Sequence, residues 1–414
     1  MPQTDPVFTM NDGNQFRNLS MARFASLIAP VPADIDIIFR LADHRSFLAA
    51  FGSVMILSLV AELLIQPFLS RAIDRFNRKR IQVINQALFS ISAVAAGFEI
   101  FLWGRIEAIL LIMLLIIEIY YTISYQVYAS MAQSIIRRKD AGNYNGLSEI
   151  LGQTPVIMGA LLSALIWSIV PLPYILLASG AAGMLFLLPL TYVRNASLQV
   201  SAQHSTSAGI SMSRKMRWST VLFIFLFNMP YVAVVSGNYL KPIFIAQLLN
   251  GSPGTLAESE IIYAISAVAA GMLAPFLIKK MGEFQSAMMF SLIYVAGSIM
   301  MPMFPIIGIF FLFQVSHGTG NAGNRISRNT LVMRNVPAEE IGRFNGNVQI
   351  LVVMARISLL VLYILTIELI GVRMLMVITG AVVLTAVLAG TALRRYATIQ
   401  MDNRLLPEKE PSVQ

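Results

Sequence analysis

The chain has 414 residues, long enough for two or three soluble domains, but 57% of them are hydrophobic, only 12% are charged, and the mean hydropathy is +0.70. Soluble domains usually carry about 25% charged residues, so the composition excludes them and leaves a polytopic membrane protein. The net charge of +9 then points to loop asymmetry across a bilayer rather than to nucleic acid, and the absence of cysteine removes disulfide, zinc-cluster and thiol chemistry.

A hydrocarbon core of about 30 Å takes ~20 mostly apolar residues per helix. On that criterion the expected helices are 20–40, 47–69, 80–103, 106–131, 144–168, 171–193, 218–240, 258–279, 284–303, 305–325, 344–367 and 372–393. The polar segment 1–19, with Asp5 and Asp12, lacks the basic and apolar regions of a cleavable signal peptide, so the first helices must direct insertion. In helix one, Ala29-Pro30-Val31-Pro32-Ala33-Asp34-Ile35-Asp36 sets two prolines beside two carboxylates, and proline breaks or kinks a helix. The Ser-rich stretch 194–217 reads as a linker between six-helix bundles at 20–193 and 218–393, with tails at 1–19 and 394–414. Residues 249–260 read as a turn-rich loop on the other side.

With both termini in the cytoplasm, most of the 30 Lys and Arg fall at cytoplasmic helix ends, including Arg71, Arg75, Arg78, Lys79, Arg80, Arg137, Arg138, Lys139, Arg214, Lys215, Arg217, Arg394 and Arg395. Arg40, Arg45, Arg105, Lys241 and Arg373 fall outside, and Arg356 lies within a helix. That bias requires an even number of spans. The expected location is the inner membrane, multi-pass.

Two internal matches mark the halves. Asp140-Ala-Gly-Asn-Tyr-Asn-Gly146 with Ile150-Leu151 repeats as Glu340-Ile-Gly-Arg-Phe-Asn-Gly346 with Ile350-Leu351. Asp74-Arg75-Phe76-Asn77-Arg78 corresponds to Lys279-Lys280-Met281-Gly282-Glu283, after the second helix of each half. Together with the loop Ser70-Arg71-Ala72-Ile73-Asp74-Arg75-Phe76-Asn77-Arg78-Lys79-Arg80, these features resemble the major facilitator superfamily. The expected fold is therefore an all-α membrane protein of 12 transmembrane helices in two pseudo-symmetric six-helix bundles. Ser70 and Asn77 stand where that family has glycines; Asn tolerates left-handed backbone better than most residues. The resemblance implies a conformational-gate loop of Asp74, Arg75, Arg78, Lys79, Gly346, Lys279, Lys280 and Gly282, with Asp74 facing the start of helix eleven near Asn345-Gly346. The pattern Asn145, Gly146, Glu149, Gly152, Gln153 is similar to the efflux-type branch, although Gly159-Ala160-Leu161-Leu162-Ser163 departs from that branch's antiporter motif.

Ionisable groups inside membrane helices are costly and usually face a bundle interior or a water-filled cavity. Glu118 in helix four, Glu62 in helix two, and Asp34 and Asp36 in helix one are the proton-coupling candidates. Arg356 on helix eleven either anchors an anionic substrate group or pairs with a carboxylate such as Glu118. Tyr121 and Tyr125 follow Glu118 along one helix face and are cavity candidates. His317 and Asn321 belong to the glycine-alternating end of helix ten, Gly318-Thr319-Gly320-Asn321-Ala322-Gly323, a pattern that implies either flexibility or close packing. No metal site, cofactor or enzymatic constellation is expected. The expected activity is proton-coupled export of a small organic molecule (a drug, siderophore or other metabolite) by a monomer. Uptake of an anionic metabolite on Arg356, or a receptor or scaffold that keeps the fold without transporting, are the alternatives.

Overall fold

The computed structural model describes residues 10–43, 48–104, 106–133, 141–193, 218–336 and 338–402. No strand occurs among them. The helices are α1 (Met10–Ile28), α2 (Val31–Asp43), α3 (Leu48–Arg75), α4 (Arg78–Trp103), α5 (Ile106–Gln133), α6 (Ala141–Ile166), α7 (Leu172–Leu185), α8 (Leu188–Thr191), α9 (Trp218–Leu226), α10 (Met229–Gln247), α11 (Pro253–Met281), α12 (Glu283–Met303), α13 (Ile307–Asn335) and α14 (Ala338–Asp402). They form twelve passes, because α1 with α2, α7 with α8, and α9 with α10 are broken single spans, while α14 makes two. Its apolar part, 344–394, is 51 residues long, more than twice what a bilayer needs. The chain breaks there at Gly371, whose φ of 75° and ψ of 158° lie outside helical space.

The breaks follow local chemistry. Pro30 and Pro32 end α1 and restart the helix as α2, so Asp34 falls in the first turn of a new helix, where the dipole favours a carboxylate. The seventh span bends by 48° between α9 and α10, at Phe227–Asn228. The expected loop at 249–260 is shorter than the sequence suggests. Ser252 caps α11 reciprocally with Thr255, and Pro253 occupies its first turn, a position where its missing N–H costs nothing. Asn77 does not use left-handed backbone. It is the extended N-cap of α4 (φ −63°), its side chain accepting from the Lys79 N–H. Gly282, its counterpart in the repeat, is the N-cap of α12.

Lipid gives helices little hydrophobic reason to associate, so the halves meet through small residues and polar bonds. Gly146 of α6 and Gly271 of α11 let two backbones touch, since a Cβ on Gly146 would sit 2.5 Å from the Gly271 carbonyl oxygen. On the side away from the termini the halves touch. There Tyr239 of α10 stacks obliquely on Phe51 at 5.3 Å, donates to the Leu48 carbonyl oxygen at 3.2 Å, and is fully buried. On the termini side the two repeat-equivalent glycines differ: Gly146 is packed, whereas Gly346 of α14 has nothing within 4 Å of a Cβ.

Candidate functional site

Asp34 on α2 and Glu118 on α5 are both half-buried and lie within electrostatic reach of the C-terminal half, Asp34 of Glu260 and Glu118 of Arg356. Glu118 also acts electrostatically on Asp34. Neither side chain has a hydrogen-bond or ion-pair partner among the described residues, and Asp34 Oδ1 is wholly enclosed. Tyr121 lies within electrostatic reach of both carboxylates and stacks at 6.2 Å on Tyr125. Asp36 is placed differently from Asp34. It is buried in a local ion pair with Arg40 one turn on, at 2.9 Å, and lies apart from this acidic centre.

Of the two roles the sequence leaves open for Arg356, the structure shows pairing with a carboxylate, which is Glu62 and not Glu118. Arg356 Nη1 donates to Glu62 Oε2 at 3.0 Å, and Gln349 Nε2 donates to Glu62 Oε1 at 3.0 Å. Both charged side chains are about nine-tenths buried (8% and 10% exposed). Glu62 belongs to the N-terminal half and Arg356 to the C-terminal half, so this pair ties the halves together. Glu118 senses it, with Arg356 and Glu62 as its principal charged neighbours. The reason is geometric: α3 packs along α14, which brings Glu62 within bonding distance of Arg356.

A second bridge was missed by sequence reasoning. Glu149 of α6 accepts two bonds from Arg325 of α13, at 2.9 and 2.5 Å, and a third from Gln153 at 2.8 Å. Arg325 is the last residue of the expected helix 305–325, yet the helix continues ten residues past it to Asn335. The available signals were the Glu149–Gln153 spacing and the polar composition of 307–335, which keeps α13 from scoring as a membrane span. Glu149 and Gln349 are repeat-equivalent, and each bonds across the two halves.

Two further arginines lie inside. Arg23 of α1 sits over the Tyr125 ring at 5.9 Å and donates to Ser148 Oγ at 3.3 Å, while its Nε is buried without a partner. Arg328 of α13 is buried and donates to the neutral acceptors Asn324 Oδ1 at 3.1 Å, Asn329 Oδ1 at 3.5 Å and the Phe227 carbonyl oxygen at 3.4 Å.

His317 and Asn321 lie within the C-terminal bundle. His317 bonds Ser298 Oγ at 2.9 Å, stacks on Tyr294 at 4.7 Å, and borders a small cleft together with Lys241 and Gln314. Lys241 is ion-paired with Glu260. Asn321 donates to Tyr263 Oη at 2.6 Å. The glycines here serve close packing: a Cβ on Gly318 would meet the Tyr263 carbonyl oxygen at 2.3 Å.

Of the gate loop, the side chains of Asp74 and Arg75 lie outside the described residues. Arg78 donates to the Ser130 carbonyl oxygen at 3.0 Å and Lys79 to those of Thr191 and Val193 at 2.8 and 3.2 Å, so both fasten helix ends within their own half. In the other half Glu283, the repeat counterpart of Arg78, pairs with Arg334 at the corresponding place. Lys279 and Lys280 are exposed, and Gly282 (φ 87°) turns the chain from α11 to α12. Among the described residues no group of His, Cys, Asp and Glu could hold a metal ion.

Residues 37–358 match the family profile described as Major Facilitator Superfamily. No curated protein matches the sequence significantly. Among solved structures, the chain is similar to a bacterial homologue of the iron transporter ferroportin in its inward-facing state (14% identity, 92% of this chain and 98% of that one, TM-score 0.67). It is also similar to the nucleoside transporter NupG (14%, 94% and 100%, 0.64) and to the human organic anion transporter MFSD10 (13%, 90% and 99%, 0.64). At such identities the likeness is one of fold.

Proposed function

The chain belongs to the Major Facilitator Superfamily, and on that premise we propose that it is a secondary active transporter that couples proton movement to export of a small organic molecule by alternating access. The observation that carries this reading is the acidic centre: Asp34 and Glu118 are two interior carboxylates without partners, beside an ion pair that spans both halves. An interior carboxylate free of a counter-ion can take up and release a proton without first breaking a bond. Its change of charge is felt by Glu62 and Arg356, which gives protonation a route to the contact between the halves. The helix-five pattern through Glu149 and Gln153, similar to the efflux-type branch, supports export.

Uptake of an anion anchored on Arg356 is the second reading. It is favoured by the buried, unpartnered Arg356 Nε and disfavoured by Glu62, which already neutralises that guanidinium.

The test is substrate-driven proton movement in proteoliposomes, screened across metabolite classes with an internal pH dye. Coupled flux should vanish in Glu118→Gln and persist in Glu107→Gln. Full flux in both Glu118→Gln and Asp34→Asn would overturn the coupling role. No flux with any compound, in either direction, would favour the scaffold reading.

A further inference from the structure

The charges in the middle of the molecule are segregated. On the Asp34 side two carboxylates stand unpaired. On the other side three guanidinium groups, Arg23, Arg325 and Arg328, stand near a single carboxylate, Glu149. The connections are direct: Arg23 lies over Tyr125 and beside Ser148, and Tyr125 feels both Arg23 and Arg325. Arg325 in turn acts on Arg328, three residues on, and Tyr231 lies within reach of both.

Glu149 satisfies Arg325 in a bidentate pair, which leaves Arg23 and Arg328 with only neutral acceptors among the described residues. An uncompensated interior cation is expensive in a membrane protein and marks an ion or substrate path. Guanidinium forks match carboxylate and phosphate oxygens. Tyr125 is 46% exposed although residues of the first, fifth, seventh and tenth spans surround it, so it faces an internal space.

We propose that this space binds a small organic dianion, a phosphate monoester or a dicarboxylate, through Arg23 and Arg328, with Tyr125 and Tyr231 against its apolar body. The assignment rests on the transport reading above and names its substrate class. Two positive charges await a ligand of charge −2, and Arg325 stays with Glu149. Arg328 also braces the carbonyl freed at the bend of the seventh span, through Phe227, so binding there acts on the element that kinks.

The test is calorimetric titration of the full-length protein in detergent with phenyl phosphate and succinate, against phenol and succinamide as neutral counterparts. At least one dianion should bind and its neutral counterpart should not. Which dianion binds separates phosphate from carboxylate recognition. Arg23→Gln and Arg328→Gln should each weaken binding about ten-fold or more, as expected for loss of a charge-assisted bond, and Arg23→Lys should restore part of it. If Arg328→Gln fails to fold, Arg328→Lys replaces it. Absence of dianion binding by the folded wild type overturns the proposal. So does an unchanged dissociation constant in both Gln variants; a brace role alone for Arg328 would lower the melting temperature without changing that constant. Proton-coupled flux of a neutral or cationic compound, with no dianion binding, sinks this assignment but leaves the transport reading standing. Dianion binding without any flux does the reverse.

Discussion

Replacing Arg356 by Met tests whether the Glu62–Arg356 pair holds the halves in the arrangement described. Both side chains are about nine-tenths buried and 3.0 Å apart. Removing one partner of such a pair leaves an uncompensated charge and costs about 3–5 kcal/mol. Gln349 still donates to Glu62 in the variant, which places the expected cost near the lower end, about 3 kcal/mol. If the pair forms in only one of the two states of the transport cycle, that cost shifts the population of that state against the other by roughly 100-fold. The chain has no cysteine, so two introduced cysteines label cleanly. Leu102 at the end of α4 and Met303 at the end of α12 are exposed, one in each half, on the side away from the termini. Double electron–electron resonance between spin labels there should give one short distance in the parent and a longer population in Arg356→Met. Glu62→Gln should do the same, and the double variant should add little to either. An unchanged distance distribution together with an unchanged melting temperature in Arg356→Met would refute the reasoning.

Glu149→Gln breaks the bidentate bridge and strands Arg325, so the detergent melting temperature should fall, by an amount corresponding to about 2–4 kcal/mol; a melt within a degree of the parent would show that the bridge contributes nothing. Gly146→Val and Gly346→Val should diverge: the first collides with the Gly271 carbonyl oxygen and destabilises by about 1–3 kcal/mol. The second meets empty space and should leave the melt unchanged while stopping transport, if that space must close during the cycle; normal transport by a folded Gly346→Val protein would contradict that closure. Gly318→Ala should lower the melting temperature because its Cβ has no room against the Tyr263 carbonyl oxygen, and a neutral result would mean that α13 can move off α11 at no cost.

The sequence by itself determined what depends on composition and local order. Apolar runs placed the spans, the basic residues required an even count, and two short repeats showed a doubled chain whose second match became the caps at Asn77 and Gly282. Pro30 and Pro32 announced the break that sets Asp34 in a first turn, because proline acts on its own backbone. Only the tertiary structure decided which charges meet. Glu62 and Arg356 are 294 positions apart, Glu149 and Arg325 176, and nothing local distinguishes Glu62 from Glu118 as a partner. The polar residues of α13 were read as a helix end because hydropathy penalises charge wherever it occurs. Whether a charge faces lipid, water or another charge depends on how helices from both halves surround it, and that is a property of packing alone.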